Sequence, residues 1–204
     1  PPKDLLRLRL TQSAYFALMP TDMNSSLITY AVSLHFSTDA SDFITKAVRD
    51  IAEATGNNFI IENKIPPHIT IGAFHAAKAN EARLLQLTEE FARRQKAEDV
   101  HFTQIDNFKG KVLFLKGEKN LFLAQMNRHL HSLVLSEFES GENGYYLPEI
   151  WCPHTTLATR LKQGQFEKAQ AVAKQAYDVV CLFFCFGDKK RRLEKKVSVF
   201  LPAR

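Results

Sequence analysis

The sequence predicts an α+β protein built from two similar halves, and three observations lead to that class. Strand and helix patterns alternate along the chain, the order strand, helix, strand, helix, strand occurs twice, and one short polar motif recurs at the same place in each half. With 204 residues, 45% of them hydrophobic, the chain can bury a sizeable core as one compact unit with two halves. Residues 1–26 form an N-terminal extension without an assigned role, and residues 27–204 form a single two-lobed domain. Its lobes are expected to be interleaved, with repeat units from about 27 to 108 and from 111 to 187 and a closing strand at 195–201.

The elements follow in order. Ile28, Tyr30, Val32, Leu34 and Phe36 alternate with smaller or polar neighbours, the period of a strand with one face on a core. Thr38 or Asp39 can cap a helix whose apolar stripe is Phe43, Ala47, Val48, Ile51 and Ala52, with Gly56 at its C-terminal cap. Pro66 and Pro67 forbid helix and introduce a strand, Ile69 to Phe74. A helix from about Asn80 to Lys96 buries Leu84, Leu85, Leu87, Phe91 and Ala92, and Val100 to Asp106 reads as the next strand. The second half gives strand Val112–Leu115, helix Lys119–Phe138, strand Ile150–Ala158, helix Gln165–Ala176 and strand Val179–Phe186, before the closing strand Lys195–Leu201. Ile28 to Val112 is an offset of 84 residues and His68 to His154 one of 86, so the halves keep nearly constant spacing. Leu5, Leu6, Leu8 and Leu10, mixed with Arg7 and Arg9, alternate as a strand or a docked arm would. The segment from Ser140 to Pro148, with Gly141, Gly144, Tyr145 and Tyr146, is expected to be a mobile loop bordering a site.

Composition narrows the function classes. A net charge of +5 favours anionic partners such as nucleotides or RNA. No run of eighteen apolar residues and no secretory signal core appears, so a cytoplasmic protein that does not enter a membrane is expected. Three cysteines cannot all pair; Cys181 and Cys185 read as small core residues, and Cys152 has no neighbour with which to hold zinc. His129 and His131, two apart on a helix, point away from each other and make no metal pair. No phosphate-binding glycine loop and no nucleophile-elbow serine is present, which argues against ATP-driven ligation and serine hydrolysis.

The recurring motif carries the chemistry. Pro67-His68-Ile69-Thr70-Ile71 and Pro153-His154-Thr155-Thr156-Leu157 each place a histidine and a threonine on one face of a strand and aliphatic or small residues on the other. His35-Phe36-Ser37 and His101-Phe102-Thr103 repeat the bare spacing, but they lack the preceding proline and a shared position in the repeat. A single strand histidine is usually a satisfied polar residue. Two copies of one five-residue pattern, at equivalent places in two halves, point instead to a functional pair brought face to face.

These motifs resemble those of the two-histidine (2H) phosphoesterase superfamily, especially the bacterial RNA 2′,3′-cyclic phosphodiesterases once called 2′-5′ RNA ligases. The resemblance spans about residues 27 to 201. It implies a bilobal fold with pseudo-two-fold symmetry, two antiparallel sheets lining a central cleft and helices outside, and catalysis without a metal or other cofactor. It also implies that His154 is the base toward water and His68 the acid toward the ribose oxygen. One imidazole neutral and the other protonated near neutral pH suits this division, each role contributing about 10² to 10⁴ in rate. Thr70 and Thr156 would donate hydroxyl hydrogen bonds to the non-bridging phosphate oxygens. The expected substrate is a nucleotide or RNA with a 2′,3′-cyclic phosphate or a 2′-5′ linkage, acted on by a monomer. Two alternatives stay open: a module that binds nucleotides or RNA ends without turnover, and an enzyme for a non-RNA cyclic phosphate.

Tyr145, Tyr146 and Phe108 are candidates for stacking a base, whereas Trp151 reads as a packing residue at the strand entrance. Lys189, Lys190, Arg191, Arg192, Lys195 and Lys196 cluster at an expected hairpin tip, a solvated turn or an RNA contact, and Lys109 and Lys111 beside Gly110 present the same choice.

Overall fold

The computed structural model describes residues 9–12, 27–95, 100–117 and 121–186. The protein is α+β, with two antiparallel sheets. The first orders its strands β1 (Arg9–Gln12), β2 (Leu27–His35), β3 (His68–Ala77) and β6 (Glu139–Ser140); the second orders β4 (Phe102–Phe108), β5 (Val112–Gly117) and β7 (His154–Ala158). Arg9–Gln12, at the end of the alternating N-terminal stretch, forms the edge strand of this sheet among the described residues.

Helix α1 (Thr38–Thr55) buries Ile44, Ala47, Val48, Ile51 and Ala52, three or four residues apart, and so presents one apolar stripe. Its cap falls on Ser37, which leaves Thr38 and Asp39 inside the first turn. There the Asp39 carboxylate suits the positive end of the helix. Gly56, at φ 70°, closes the other end by donating its N–H to the Ala52 carbonyl. A short helix, α2 (Phe59–Glu62), follows. Helices α3 (Glu81–Arg93) and α4 (Leu121–Val134) pack on each other and on β3, whereas α1 packs on β7 and on α5 (Phe166–Phe186).

Two cores result. Tyr30, Val32, Leu34, Ile69, Ile71 and Phe74 of the first sheet meet Leu84, Phe91, Leu123 and Leu130 of α3 and α4. Leu113, Leu115 and Leu157 of the second sheet meet Ile44, Val48 and Ile51 of α1 and Ala169 and Ala173 of α5. Because α1 leaves the first sheet to back the second, the halves of the sequence are interleaved in space.

The expected strand Val179–Phe186 is not formed, because α5 runs unbroken to Phe186. Its β-branched and aromatic residues suit a strand, and a short apolar run does not itself distinguish strand from helix. No glycine or proline lies between Gln165 and Phe186, so a helix already nucleated extends at one hydrogen bond per residue. The strand expected from Ile150 begins only at His154, because Ile150 and Trp151 both donate their backbone N–H to the Leu147 carbonyl in a turn. The closing strand Lys195–Leu201 and the basic cluster from Lys189 lie outside the described residues, as do the side chains of Cys181 and Cys185. No helix among the described residues is long and apolar enough to cross a membrane.

Strand β3 carries a bulge beside the first motif. Thr70 pairs with Ser33 and Gly72 with Val32, which leaves Ile71 as the extra residue. Gly72 permits the close packing there, since a Cβ would meet the Phe74 ring at 2.8 Å and a Leu130 methyl at 2.9 Å. Carbonyls at this site find side-chain donors. Trp151 Nε1 donates to Thr70 O at 3.0 Å, and Asn127 Nδ2 donates to Ile71 O at 2.8 Å and to Tyr146 O at 2.9 Å. The segment from Ser140 to Pro148 is accordingly anchored, with β6 in the first sheet and Tyr146 against the core.

Candidate active site

Both motifs open strands, and β3 and β7 lie against each other where the two sheets meet. The exposure alternates in step: His68 and Thr70 are half-buried with Ile69 and Ile71 buried, and His154 and Thr156 are half-buried with Thr155 and Leu157 buried. Each histidine and its threonine therefore share the face away from the helix-backed core.

The two rings are held in the same way. His68 Nδ1 lies 2.8 Å from the Pro66 carbonyl, and His154 Nδ1 lies 2.8 Å from the Cys152 carbonyl, two residues back in each case. A carbonyl only accepts, so Nδ1 carries the hydrogen, and in the neutral ring Nε2 keeps its lone pair. The intervening proline holds the preceding residue extended, which sets its carbonyl beside the ring. The partner is a carbonyl and not a carboxylate in both cases, so neither ring is locked as an imidazolium by its tether.

Burial holds His68 below its ordinary pKa, against the opposing pull of the Pro66 hydrogen bond. Burial likewise lowers His154; the Cys152 bond opposes this, and the charge of His68 lowers it further. The rings are thus close enough for a proton on His68 to disfavour one on His154. His131, in α4, is lowered by burial against a 2.8 Å bond to the Asn127 carbonyl.

These three shifts bear on stability. Unfolded, each ring takes up its proton near pH 6.5, whereas the folded rings stay neutral to lower pH. Their contribution to stability is therefore fully present above about pH 6.5 and is lost as pH falls from there through the lowered folded values. Denaturant unfolding at a series of pH values should show stability falling between pH 7 and 5. His131→Phe, whose ring would meet Phe74 where the imidazole now lies 5.2 Å away, should flatten that fall. An unchanged slope would count against this linkage.

Register adds residues that spacing could not. His35 pairs with His68 across β2 and β3, their ring centroids 6.1 Å apart, although the motif around His35 differs from the repeated one. Ser33 pairs with Thr70, their hydroxyl oxygens 3.3 Å apart. In the second sheet Lys116 pairs with His154 and Phe114 with Thr156, and Lys116 Nζ lies 3.5 Å from Asp106 Oδ2. His101 is exposed and outside any strand. His129 meets Gln95 and the Phe91 ring while His131 meets Phe74, so the two diverge as expected.

Of the aromatic candidates, Phe108 adjoins the site. It is 42% exposed, its ring packs 4.3 Å from that of Phe114, and it meets the His154 ring edge-on at 5.1 Å. Tyr145 is exposed, Tyr146 packs on the first core, and Trp151 is buried. Among the described residues no group of three or more His, Cys, Asp or Glu is placed to hold a metal ion.

A family model described as the 2'-5' RNA ligase superfamily matches residues 40–183, more than half of the chain. The chain belongs to that superfamily. Membership places it among enzymes of the two-histidine phosphoesterase and ligase type, and both motifs lie inside the matched span. No single curated protein matches it.

Proposed function

We propose that this member of the superfamily opens, or reversibly forms, a nucleotide or RNA 2′,3′-cyclic or 2′-5′ phosphodiester by acid–base catalysis from His68 and His154. The observation that carries the reading is the shared tether: two imidazoles at equivalent positions on the contacting strands β3 and β7 are each held at Nδ1 by the carbonyl two residues back. Held this way, a neutral ring offers a lone pair at Nε2 and a protonated ring offers a hydrogen there. In the hydrolytic direction His154 takes a proton from water, the water oxygen bonds to phosphorus, the bond from phosphorus to the ribose oxygen breaks, and His68 protonates that oxygen. Formation of the ester exchanges the roles. Thr70, braced by Ser33, and Thr156 hold the non-bridging oxygens, and Phe108 offers a base a platform worth about 1–3 kcal/mol. The protein works as a cytoplasmic monomer, and no step draws on a metal.

The test is turnover of nucleoside 2′,3′-cyclic phosphates, and of short RNAs ending in one, by the purified protein with a chelator present. Turnover is expected to persist in chelator. Because burial lowers both rings in the free enzyme, kcat/KM should follow a bell centred below pH 6.5, falling as pH rises and the protonated acid is lost. The anionic substrate raises both rings, so the profile of kcat should lie at higher pH. Nucleotide affinity without turnover would replace this reading with a binding module, and a chelator-sensitive rate would contradict the mechanism.

A further inference from the structure

The hairpin joining β4 to β5 is built around a residue that such a turn disfavours. Lys111 N donates to Phe108 O at 3.0 Å across a two-residue turn in which Lys109 has φ 50° and Gly110 φ 66°. Both central residues lie in the left-handed region, as in the mirror-image turn that suits strand twist, and its first position favours Asn, Asp or Gly. A lysine there is strained, and the strain buys no packing, because Lys109 and Lys111 are both exposed. The turn is braced from below: Gly110 N donates to Asn107 Oδ1 at 2.9 Å and Asn107 N to Asp106 Oδ1 at 2.8 Å. Neither hairpin lysine forms an ion pair among the described residues. The residue before Lys109 is Phe108, the exposed ring that meets His154.

We propose that Lys109 and Lys111 form a second anion subsite, which takes the phosphate one nucleotide away from the reacting one, so that the preferred substrate is an oligonucleotide end and not a mononucleotide. The assignment rests on His68 and His154 flanking the reacting phosphate. A base stacked on Phe108 directs the chain past the hairpin tip, where two exposed cations stand on a rigid turn. An aromatic face followed by free cations is the combination that binds single-stranded nucleic acid with little regard to sequence. A mononucleotide reaches the ring and the histidines but has no second phosphate to place on the tip.

The test compares binding of a pentaribonucleotide ending in a 3′-phosphate with that of a nucleoside 3′-phosphate, in the parent protein and in K109N/K111N. Asparagine tolerates the left-handed position, so the turn is kept while its charge is removed. At low salt the parent should bind the pentanucleotide at least about tenfold more tightly, a step of one decade in Kd. K109N/K111N should lose most of that factor, with a shallower salt dependence by about one to two phosphate contacts, and K109R/K111R should restore both. Equal affinity for the two probes in the parent, or an undiminished preference in K109N/K111N, would overturn the subsite. Turnover of cyclic phosphates is read separately. If turnover is absent while the binding preference depends on the lysines, the catalytic reading falls and the subsite stands; turnover without the preference gives the reverse.

Discussion

Replacing either His68 or His154 by alanine is expected to lower turnover of a cyclic phosphodiester by about 10² to 10⁴ while the fold is retained, because in the proposed mechanism each ring supplies one proton transfer in a single displacement. Both side chains are half-buried, each makes one hydrogen bond to a carbonyl two residues back, and neither belongs to a core cluster, so truncation leaves the two cores intact. The losses should not add. With one ring gone the other has no partner across the phosphorus, and the double variant should be little slower than the worse single one. The pH profiles of the residual rates assign the roles. If the proposed assignment holds, removing His68 should abolish the fall in rate as pH rises, and removing His154 should abolish the fall as pH drops. Circular dichroism and turnover on the same preparations check the claim, and a single variant that keeps more than about a tenth of the parent rate would contradict it.

Much of this site was legible in the sequence because it is written at local spacings. The period of two in His68-Ile69-Thr70-Ile71 fixes which residues share a face, and the proline ahead of each histidine sets the carbonyl that tethers the ring. The stripe of α1 and its Gly56 cap are local in the same sense. Cross-strand register is not local. His35 stands opposite His68 and Lys116 opposite His154 only because of how distant segments pair, and no count along the chain contains that information. Interleaved lobes are an expectation of the sequence, but which sheet α1 covers is not, since the helix is amphipathic wherever it docks and its stripe does not name its partner. At Val179–Phe186 the strand expectation fails for a different reason. Local composition and the propagation of an existing helix compete there, and propagation wins.

Trp151 links the two motifs, and its replacement is expected to have the largest effect of any change outside the histidines. The indole is buried in the first core, three residues before His154, and its Nε1–H donates to the carbonyl of Thr70 at the bulge. Trp151→Ala should cost about 3–5 kcal/mol through lost burial and the cavity left behind. Trp151→Phe separates packing from hydrogen bonding, because most of the ring volume stays while the Thr70 carbonyl loses its donor, a cost of about 1–3 kcal/mol. That carbonyl belongs to the residue proposed to hold the phosphate, so its release should also let the Thr70 hydroxyl drift from Ser33. Turnover by Trp151→Phe should then fall by roughly tenfold even where the protein is fully folded, since loss of one positioning bond of about 1.4 kcal/mol in the transition state has that size. Trp151 is the only tryptophan, so unfolding of the variants must be followed by circular dichroism and not by indole emission. If Trp151→Phe matched the parent in both stability and kcat, the indole would be mere filling. The two motifs would then owe their alignment to the meeting of β3 and β7 alone.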